Sequence, residues 1–291
     1  DEYIGISWES AYQRGMLNNA GDSAAAIAYA NDNLFESTTN DDISDIPAQY
    51  NIWNAETVSD LIDPATATVR PGVTRKYDPE NWEDYSISPS DRDEVLLTFS
   101  TSGNKSSVYT SFGFINDKGY AVNSAYERLN ARIAITQDIN EKLSINSTLG
   151  YTQSESNSPG QGSSSNSQFW WLDNIPSIYP LFLRDSSGQK IPDPIYGGYL
   201  YDYGTNGRGF GFATNGVAQS YVSINRSKNN SVNFNNNIQY KITDDLKLSH
   251  NIGYQYFMND GISLDEPFYS QAAGGGGAIR SETVSAFHIL Y

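Results

Sequence analysis

The sequence predicts an all-β chain: an antiparallel transmembrane β-barrel segment of about seven strands, with long extracellular loops and a partly helical N-terminal loop region. Three observations carry this expectation. Between residues 95 and 291 the chain holds long runs in which apolar and polar side chains alternate, as a strand must when one face meets lipid and the other an aqueous lumen. The connections between those runs are alternately short and long, the signature of a barrel with tight turns on one rim and large loops on the other. The runs are also longer than most strands of globular sheets, and a tilted membrane strand needs about 9–11 residues in hydrocarbon alone.

Residues 1–94 form the first region. Ser7 to Leu17 suits a helix with Trp8, Tyr12 and Gly15 or Met16 along one side; Ser7 is the expected N-cap, and Glu9 and Ser10 suit the first turn. Gly21-Asp22-Ser23 opens a second helix, with Asp22 or Ser23 capping Ala24 to Leu34. Residues 36–94, rich in Asp, Asn, Pro and Thr, read as an irregular loop in which Asp78-Pro79-Glu80-Asn81-Trp82 turns into a short amphipathic piece. A loop this long is usually functional or ordered by packing on something else.

Residues 95–291 form the second region, the partial barrel, with strands expected at 95–102, 106–116, 127–139, 142–155, 220–242, 245–259 and 281–291. Leu143, Ile145, Leu149 and Tyr151 alternate with Ser144, Asn146, Thr148 and Gly150. Leu246, Leu248, Ile252, Tyr254 and Tyr256 alternate with Lys247, Ser249, Asn251, Gly253 and Gln255. Val232, Phe234, Ile238 and Tyr240 alternate with Ser231, Asn233, Asn235, Asn237 and Gln239. Leu129, Ala131, Ile133 and Ile135 alternate with Asn130, Arg132, Thr136 and Asp138. None of these runs fits helical spacing. Ser102-Gly103-Asn104-Lys105, Asn140-Glu141-Lys142 and Thr243-Asp244-Asp245 are tight hairpin turns. The long connections fall at 117–126, 156–219 and 260–280, the middle one being the large loop.

Composition agrees. Hydrophobic residues are 38% of the chain, low for a soluble globule of this size and natural for a barrel with a polar lumen face. No run approaches the ~20 apolar residues of a membrane helix, which leaves a barrel untouched. The 21 Tyr and 5 Trp suit interfacial girdles, where one end of the ring is apolar and the other wet, and equally suit carbohydrate- or peptide-binding loops. A net charge of −16 argues against nucleic acid, whose binding rests on Lys and Arg. With no cysteine, disulfides, thiolate metal sites and cysteine nucleophiles are excluded. The opening Asp1-Glu2-Tyr3 lacks a basic start and an apolar h-region, as in a mature or trimmed chain. Seven strands ending at Ile289-Leu290-Tyr291 do not close, and open edges are not tolerated in lipid. The expectation is therefore a fragment of a longer protein, or one piece of a nicked one.

At this point specific residues resemble a known family. Tyr109-Thr110-Ser111-Phe112-Gly113-Phe114-Ile115-Asn116-Asp117-Lys118-Gly119-Tyr120, followed by Tyr126-Glu127-Arg128-Leu129-Asn130-Ala131-Arg132, resembles the SusC/RagA family of TonB-dependent outer-membrane transporters of Bacteroidetes, in which a strand ending in a Gly-Tyr turn precedes a Tyr-x-Arg-x-Asn-x-Arg strand. Tyr77-Asp78-Pro79-Glu80-Asn81-Trp82 is similar to the family's Tyr-Asp…Asp-Trp segment, and Asp1-Glu2-Tyr3 to the Glu-Tyr after its first barrel strand. The resemblance spans most of residues 1–155, weakens through 156–219 and returns at 220–259. It implies a 22-stranded barrel around a plug, located in the outer membrane and embedded in its lipid. It also implies import of large nutrients, glycan or peptide, energised by TonB, with a SusD-like surface lipoprotein as lid. The TonB box, plug and most later strands of the family have no counterpart here, so coupling to TonB would run through other parts of a parent protein.

Catalytic signals are weak, and the chain is read as a non-enzyme with no cofactor. His250 and His288 each lie within a strand, His250 in phase with the apolar face. No HExxH, Walker A or GxSxG motif occurs. Gly207-Arg208-Gly209-Phe210-Gly211 and Gly274 to Gly277 lack the strand-to-helix setting of a phosphate cradle and read as flexible loop. The carboxylate groups Asp41, Asp42, Asp45 and Asp78, Glu80, Glu83, Asp84 lack EF-hand spacing and read as solvated loop.

The candidate ligand contacts are aromatic: Trp170, Trp171, Tyr196, Tyr199, Tyr201 and Tyr203 in the large loop, whose flat rings stack on sugars or pack on peptide side chains. Self-packing of the loop, or an apolar contact with lid or plug, is the competing use of the same rings. Asn233, Asn235, Asn237 and Gln239 are the candidate lumen-facing residues, contacting a plug or lining the path. A soluble secreted β-sheet carbohydrate-binding domain and a surface glycosidase, which needs only two suitably spaced carboxylates, are the alternative readings.

Overall fold

The computed structural model describes residues 1–35, 46–159, 167–205, 207–208, 211, 213–269 and 280–290. The chain divides into two compact units. One is assembled from Asp1–Tyr85, Gly162–Ala218 and Tyr269–Gly275, the other from Ser86–Gln161, Gln219–Phe268 and Gly276–Tyr291. Asp41, Asp42, Asp45 and Gly274 to Gly277 lie outside the described residues.

The first unit is mainly loop and helix. Helix α1 (Glu2–Asn18) packs on α2 (Ser23–Asn33). Further along are a short helix α3 (Val58–Leu61), a two-stranded hairpin of β1 (Ile62–Asp63) and β2 (Thr68–Val69), and α4 (Gln168–Asn174). The first helix begins at Glu2, earlier than the expected Ser7. The reason is local: the Ser7 hydroxyl donates back to the Tyr3 carbonyl at 2.9 Å, a bond made inside a helix, so Ser7 does not cap. For α2 the cap is Asp22, whose carboxylate accepts from the Ala24 and Ala25 N–H groups at 2.9 and 3.2 Å. Gly15 lets the helices meet, since a Cβ there would lie 2.9 Å from the Ala26 Cα.

Residues of the expected irregular loop join the first helix in an ordered apolar cluster in the same unit. Ile4, Trp8, Tyr50, Ile52, Trp53, Leu61, Ile62, Ile178 and Tyr179 are buried together. The two indole N–H groups find acceptors, Trp8 on Asn31 at 2.8 Å and Trp53 on the Asp1 side chain at 2.9 Å, as buried indoles require.

The second unit is a seven-stranded antiparallel sheet, not closed among the described residues: β3 (Asp91–Ser102), β4 (Ser106–Lys118), β5 (Ala125–Asp138), β6 (Leu143–Asn157), β7 (Ile224–Lys241), β8 (Lys247–Leu264) and β9 (Arg280–Leu290). Each strand pairs with the next in sequence. The three tight turns fall where the pattern places them, and the strand ends at Asp91, Asn157, Ile224, Leu264 and Arg280 form the rim that carries the long connections. The mostly β, antiparallel barrel-segment class is therefore what the chain adopts.

Three strand boundaries differ from expectation by four residues or more. The strand expected to stop at 259 runs on to Leu264. The strand expected from residue 220 begins at Ile224, because Gly216–Val222 is helix α5. The Asn215 carboxamide oxygen accepts from the Ala218 N–H at 2.9 Å, a capping bond, and Val217 and Ala218 are fully buried. Burial of those two residues outweighs the strand preference of Tyr221 and Val222. At the other end, β3 starts at Asp91, before the apolar alternation begins. Its charged opening is tied down by Arg92, which pairs with Glu94 at 3.0 Å and Asp117 at 3.6 Å.

Register separates the two faces of the sheet. Leu149 is opposite Ile133 and Phe234, and Phe234 is opposite Tyr254; Phe112 is opposite Leu97 and Ala131. One face thus carries an apolar band that stays uncovered: Leu97, Phe99, Phe112, Ile133, Leu149, Leu248 and Tyr254 are all exposed. His250 lies on this face opposite Ile238, and the backbone of His288 pairs with Tyr256. The reverse face is richer in polar and small residues, with Leu96, Tyr109, Phe287 and Ile289 exposed among them.

Candidate functional site

The six candidate ligand aromatics do not form one site. Helix α4 holds Trp170 and Trp171. Trp171 is fully buried and stacks on Trp82, with ring centroids 5.4 Å apart and planes 3° from parallel. Trp170 meets it edge-on at 5.8 Å. Any side chain at Gly216 or Gly211 would strike the Trp171 indole, so glycine there is a packing requirement. Tyr203 is also buried, its ring 6.2 Å from that of Tyr269. Trp171 and Tyr203 are core residues, and both are removed from the accessible candidates.

Beneath these rings is a buried polar centre that the sequence reading treated as flexible loop. Arg208 is sealed from solvent and pairs with Asp202 at 3.2 Å. Its guanidinium also donates to the Gly211 and Thr214 carbonyls at 3.1 and 2.8 Å and lies 4.8 Å over Trp171. Asp202 accepts further bonds from the Gly204 N–H at 2.8 Å and the Tyr50 hydroxyl at 3.2 Å. Burial pushes the Asp202 carboxyl above the ordinary carboxylate range, against the pull of Arg208 and these hydrogen bonds. The same burial raises the neighbouring phenols: Tyr179 and Tyr77 to about 12, and Tyr50 higher still, where the Asp202 charge adds to the effect. Gly209 and Phe210 of this glycine-rich run lie outside the described residues.

Glu80 departs from the solvated-loop expectation in the same way. It is almost wholly buried, ion-paired with Arg184 and, at 3.1 Å, with Lys190. Its second oxygen accepts from the Leu181 N–H at 3.1 Å. Its sequence neighbours Asp78, Glu83 and Asp84 are exposed as expected. Arg184 in turn lies 4.3 Å over the Tyr77 ring. This centre pins an irregular ladder in which Asp202 donates its N–H to Leu181, Leu183 to Leu200, and Leu200 to Ile191. Tyr201, half-buried, packs on Phe182 at 5.0 Å from within the ladder.

Tyr196 and Tyr199 are the exposed members, on a tight tip between the bridged residues Pro192 and Tyr199. Asp193, buried, locks that tip. Its carboxylate accepts from the Ile195 and Tyr196 N–H groups at 2.8 and 3.1 Å and from the Tyr269 hydroxyl at 2.9 Å. Gly197 and Gly198 both have positive φ, 78° and 68°, which non-glycine residues rarely adopt. Sequence reasoning missed Asp193, Asp202, Arg208 and Glu80. The available signal was an arginine within a glycine run and a lone acid preceding a Pro-x-Tyr-Gly-Gly turn.

The four lumen candidates lie in the second unit along β7, on the polar face. Asn233 is opposite Gly150 and Gln255, Asn235 opposite Thr148 and Gly253, Asn237 opposite Asn146 and Asn251, and Gln239 opposite Ser144 and Ser249. Asn237 and Asn251 are hydrogen-bonded across the strands. The structure thus brings these four into one polar patch running over three strands.

No protein-family model matches the chain, and no curated protein matches it by sequence. Solved structures do match its fold. The RagAB peptide importer in its closed-closed state aligns with a TM-score of 0.53 at 20% identity, over 73% of this chain and 22% of that one. The open-open state of the same importer aligns with a TM-score of 0.52 at 18% identity, over 73% and 22%. A further structure of the RagAB peptide transporter gives 0.51 at 18% identity, over 71% and 22%. The chain therefore spans less than a quarter of the length of these neighbours, and at such identity the likeness is one of fold.

Proposed function

We propose that this chain is a segment of the barrel of a TonB-dependent outer-membrane importer of large nutrients, working with a SusD-like surface lipoprotein. The observation that supports this reading most is the two-faced sheet: the antiparallel strands carry an exposed apolar band on one face and a more polar surface on the other. In water such a band would be a liability, whereas in lipid it is the required exterior. This favours the membrane reading over a soluble carbohydrate-binding domain. Resemblance of the fold to a peptide importer makes an oligopeptide the first cargo to test, with an oligosaccharide second.

In this reading Asn233, Asn235, Asn237 and Gln239 face the interior, where they line the path or contact what fills it. Trp170, Tyr196, Tyr199 and Tyr201 are the loop aromatics that retain accessible surface for cargo or partner. TonB would engage another part of the parent protein. The role is transport, with no bond-making chemistry in this segment and no cofactor.

The test is to fractionate cells that make the protein in its natural form and to run the outer-membrane fraction with and without boiling. The expected result is a protein several times larger than this chain, recovered with outer-membrane lipid and migrating faster when unboiled, as folded barrels do. Recovery as a detergent-independent soluble protein of this chain's own mass would overturn the importer and install the soluble binding domain.

A further inference from the structure

We infer that Arg128 and Arg132, on the inward face of β5, are specificity-determining residues that bind the carboxylates of a peptide cargo. The inference rests on the importer reading, and assigns the charge class of cargo which that reading leaves open.

Placement is the first support. Arg128 is opposite Ile115 and Ser154, Asn130 opposite Gly113 and Thr152, and Arg132 opposite Ser111 and Gly150. This is the face of Asn233, since Gly150 is opposite Asn233 in turn. On an extended strand the two arginines lie about 13 Å apart. Arg128 is near the start of β5 at Ala125, beside the long-connection rim, and Arg132 is midway along the strand. The pair therefore marks a line from the rim where cargo enters to the middle of the wall.

Charge is the second. The whole chain carries −16, yet acids are scarce on this face. Within β3 to β9 the inward acids are Glu94, Asp117 and Asp138. Glu94 and Asp117 are taken by Arg92, at 3.0 and 3.6 Å. Asp138 lies further along β5 from Arg132, about 20 Å away. Other acids of the sheet, Glu127, Glu155 and Asp260, are in register with one another on the opposite face. Neither Arg128 nor Arg132 has a side-chain hydrogen bond or ion pair among the described residues, and the Arg128 Nε is shielded as well. A guanidinium keeps its proton, so in an enclosed interior its cost is relieved only by an anion.

The third is fit. The planar fork of a guanidinium matches a carboxylate with two parallel hydrogen bonds. Arg132 is exposed, and a Cβ added at neighbouring Gly150 would meet only the Asn233 carbonyl, at 3.9 Å. That leaves open space for a chain to approach. An extended peptide rises by the same ~3.3 Å per residue as β5, so acidic side chains spaced along it meet both arginines. The open space and the run from the rim favour a passing ligand over a fixed interior partner.

The experiment uses the full-length importer, purified from its membrane in mild detergent with whatever protein it retains. The probes are two peptides of equal length, blocked at both ends, with Glu in one wherever the other has Gln. At low salt the wild type is expected to bind the Glu peptide at least about tenfold more tightly, a preference that narrows as salt is raised. The preference should collapse in Arg128→Gln/Arg132→Gln and survive in part in Arg128→Lys/Arg132→Lys, which keeps the charge without the fork. Arg132→Gln alone, at the exposed position, should lower it to an intermediate value. A wild type that binds both peptides equally, or a double Gln variant that keeps the preference, overturns the assignment and leaves the importer reading standing. So does loss of the unboiled, fast-migrating form in the double Gln variant with the preference intact in Arg132→Gln, which would make the pair a support for the barrel interior. A wild type that binds neither peptide removes this inference together with the peptide reading beneath it.

Discussion

The Asp202 carboxylate and the Arg208 guanidinium form an ion pair in which both side chains are closed off from solvent, 3.2 Å apart. Removing one half of such a pair strands a charge in a dry interior, at a cost of about 3–5 kcal/mol. Arg208→Met is therefore expected to open the helix-and-loop unit. Limited proteolysis of the intact protein should cut within 167–218 while the strands stay protected. Unchanged protection of that segment would mean the pair contributes nothing to order there.

The buried phenols give the same unit an alkaline limit. Folded Tyr77 and Tyr179 titrate near 12, above the ordinary value of 10. The folded state thus holds these protons more tightly than the unfolded state does. Their contribution to stability is fully present below pH 10 and is lost as pH rises from 10 through about 12. Tyrosinate absorbance should show a delayed, cooperative rise in that window, coincident with loss of protease resistance. Ionisation of every tyrosine near pH 10 would contradict the burial.

Adjacent residues on β6 should respond unequally to the same charge. Leu149 belongs to the apolar band and Thr148 to the polar face. Leu149→Arg is expected to cost about 2–4 kcal/mol if the band meets lipid near its centre, and Thr148→Arg much less. The yield of fast-migrating, unboiled barrel in the outer membrane reads both. Equal tolerance of the two would argue for a sheet with water on each side.

Asn236 interrupts that apolar band, opposite Ser147 and Ile252. Its carboxamide oxygen is shielded and has no hydrogen-bond partner among the described residues. A shielded polar atom without a partner costs about 1–3 kcal/mol. Asn236→Val, which adds a β-branched apolar side chain on the same face, should raise the temperature at which the unboiled form is lost. A lowered temperature would mean that Asn236 satisfies a contact in the membrane that Val cannot make.

Much of the sheet is legible from sequence because a strand's two faces are written at period two within a few residues. Leu143 to Tyr151 reveals its orientation without knowledge of its neighbours, and the turns at 102–105, 140–142 and 243–245 set the pairing. The helix-and-loop unit is written differently. Trp82 donates its indole N–H to the Tyr179 carbonyl 97 residues away, and Glu80 binds Arg184 across a gap of 104. No local period announces such contacts, so Trp171 looks like a surface aromatic, Arg208 like part of a flexible glycine run, and Glu80 like one more solvated acid. Helix α5 is hidden for the same reason: Val217 and Ala218 reveal their burial only once the residues around them are in place.

The order of the pieces along the chain also sets a timetable. The sheet is a meander in which every strand pairs with its predecessor, so each hairpin can be added as soon as it has been made, and loop closure is cheap at every step. The other unit draws on Asp1–Tyr85, Gly162–Ala218 and Tyr269–Gly275, and its core partners are separated by whole strands. Trp82 and Glu80 therefore meet Trp171 and Arg184 only by closing a loop that contains four whole strands, so the entropic cost of order in this chain falls on the helix-and-loop unit and not on the sheet.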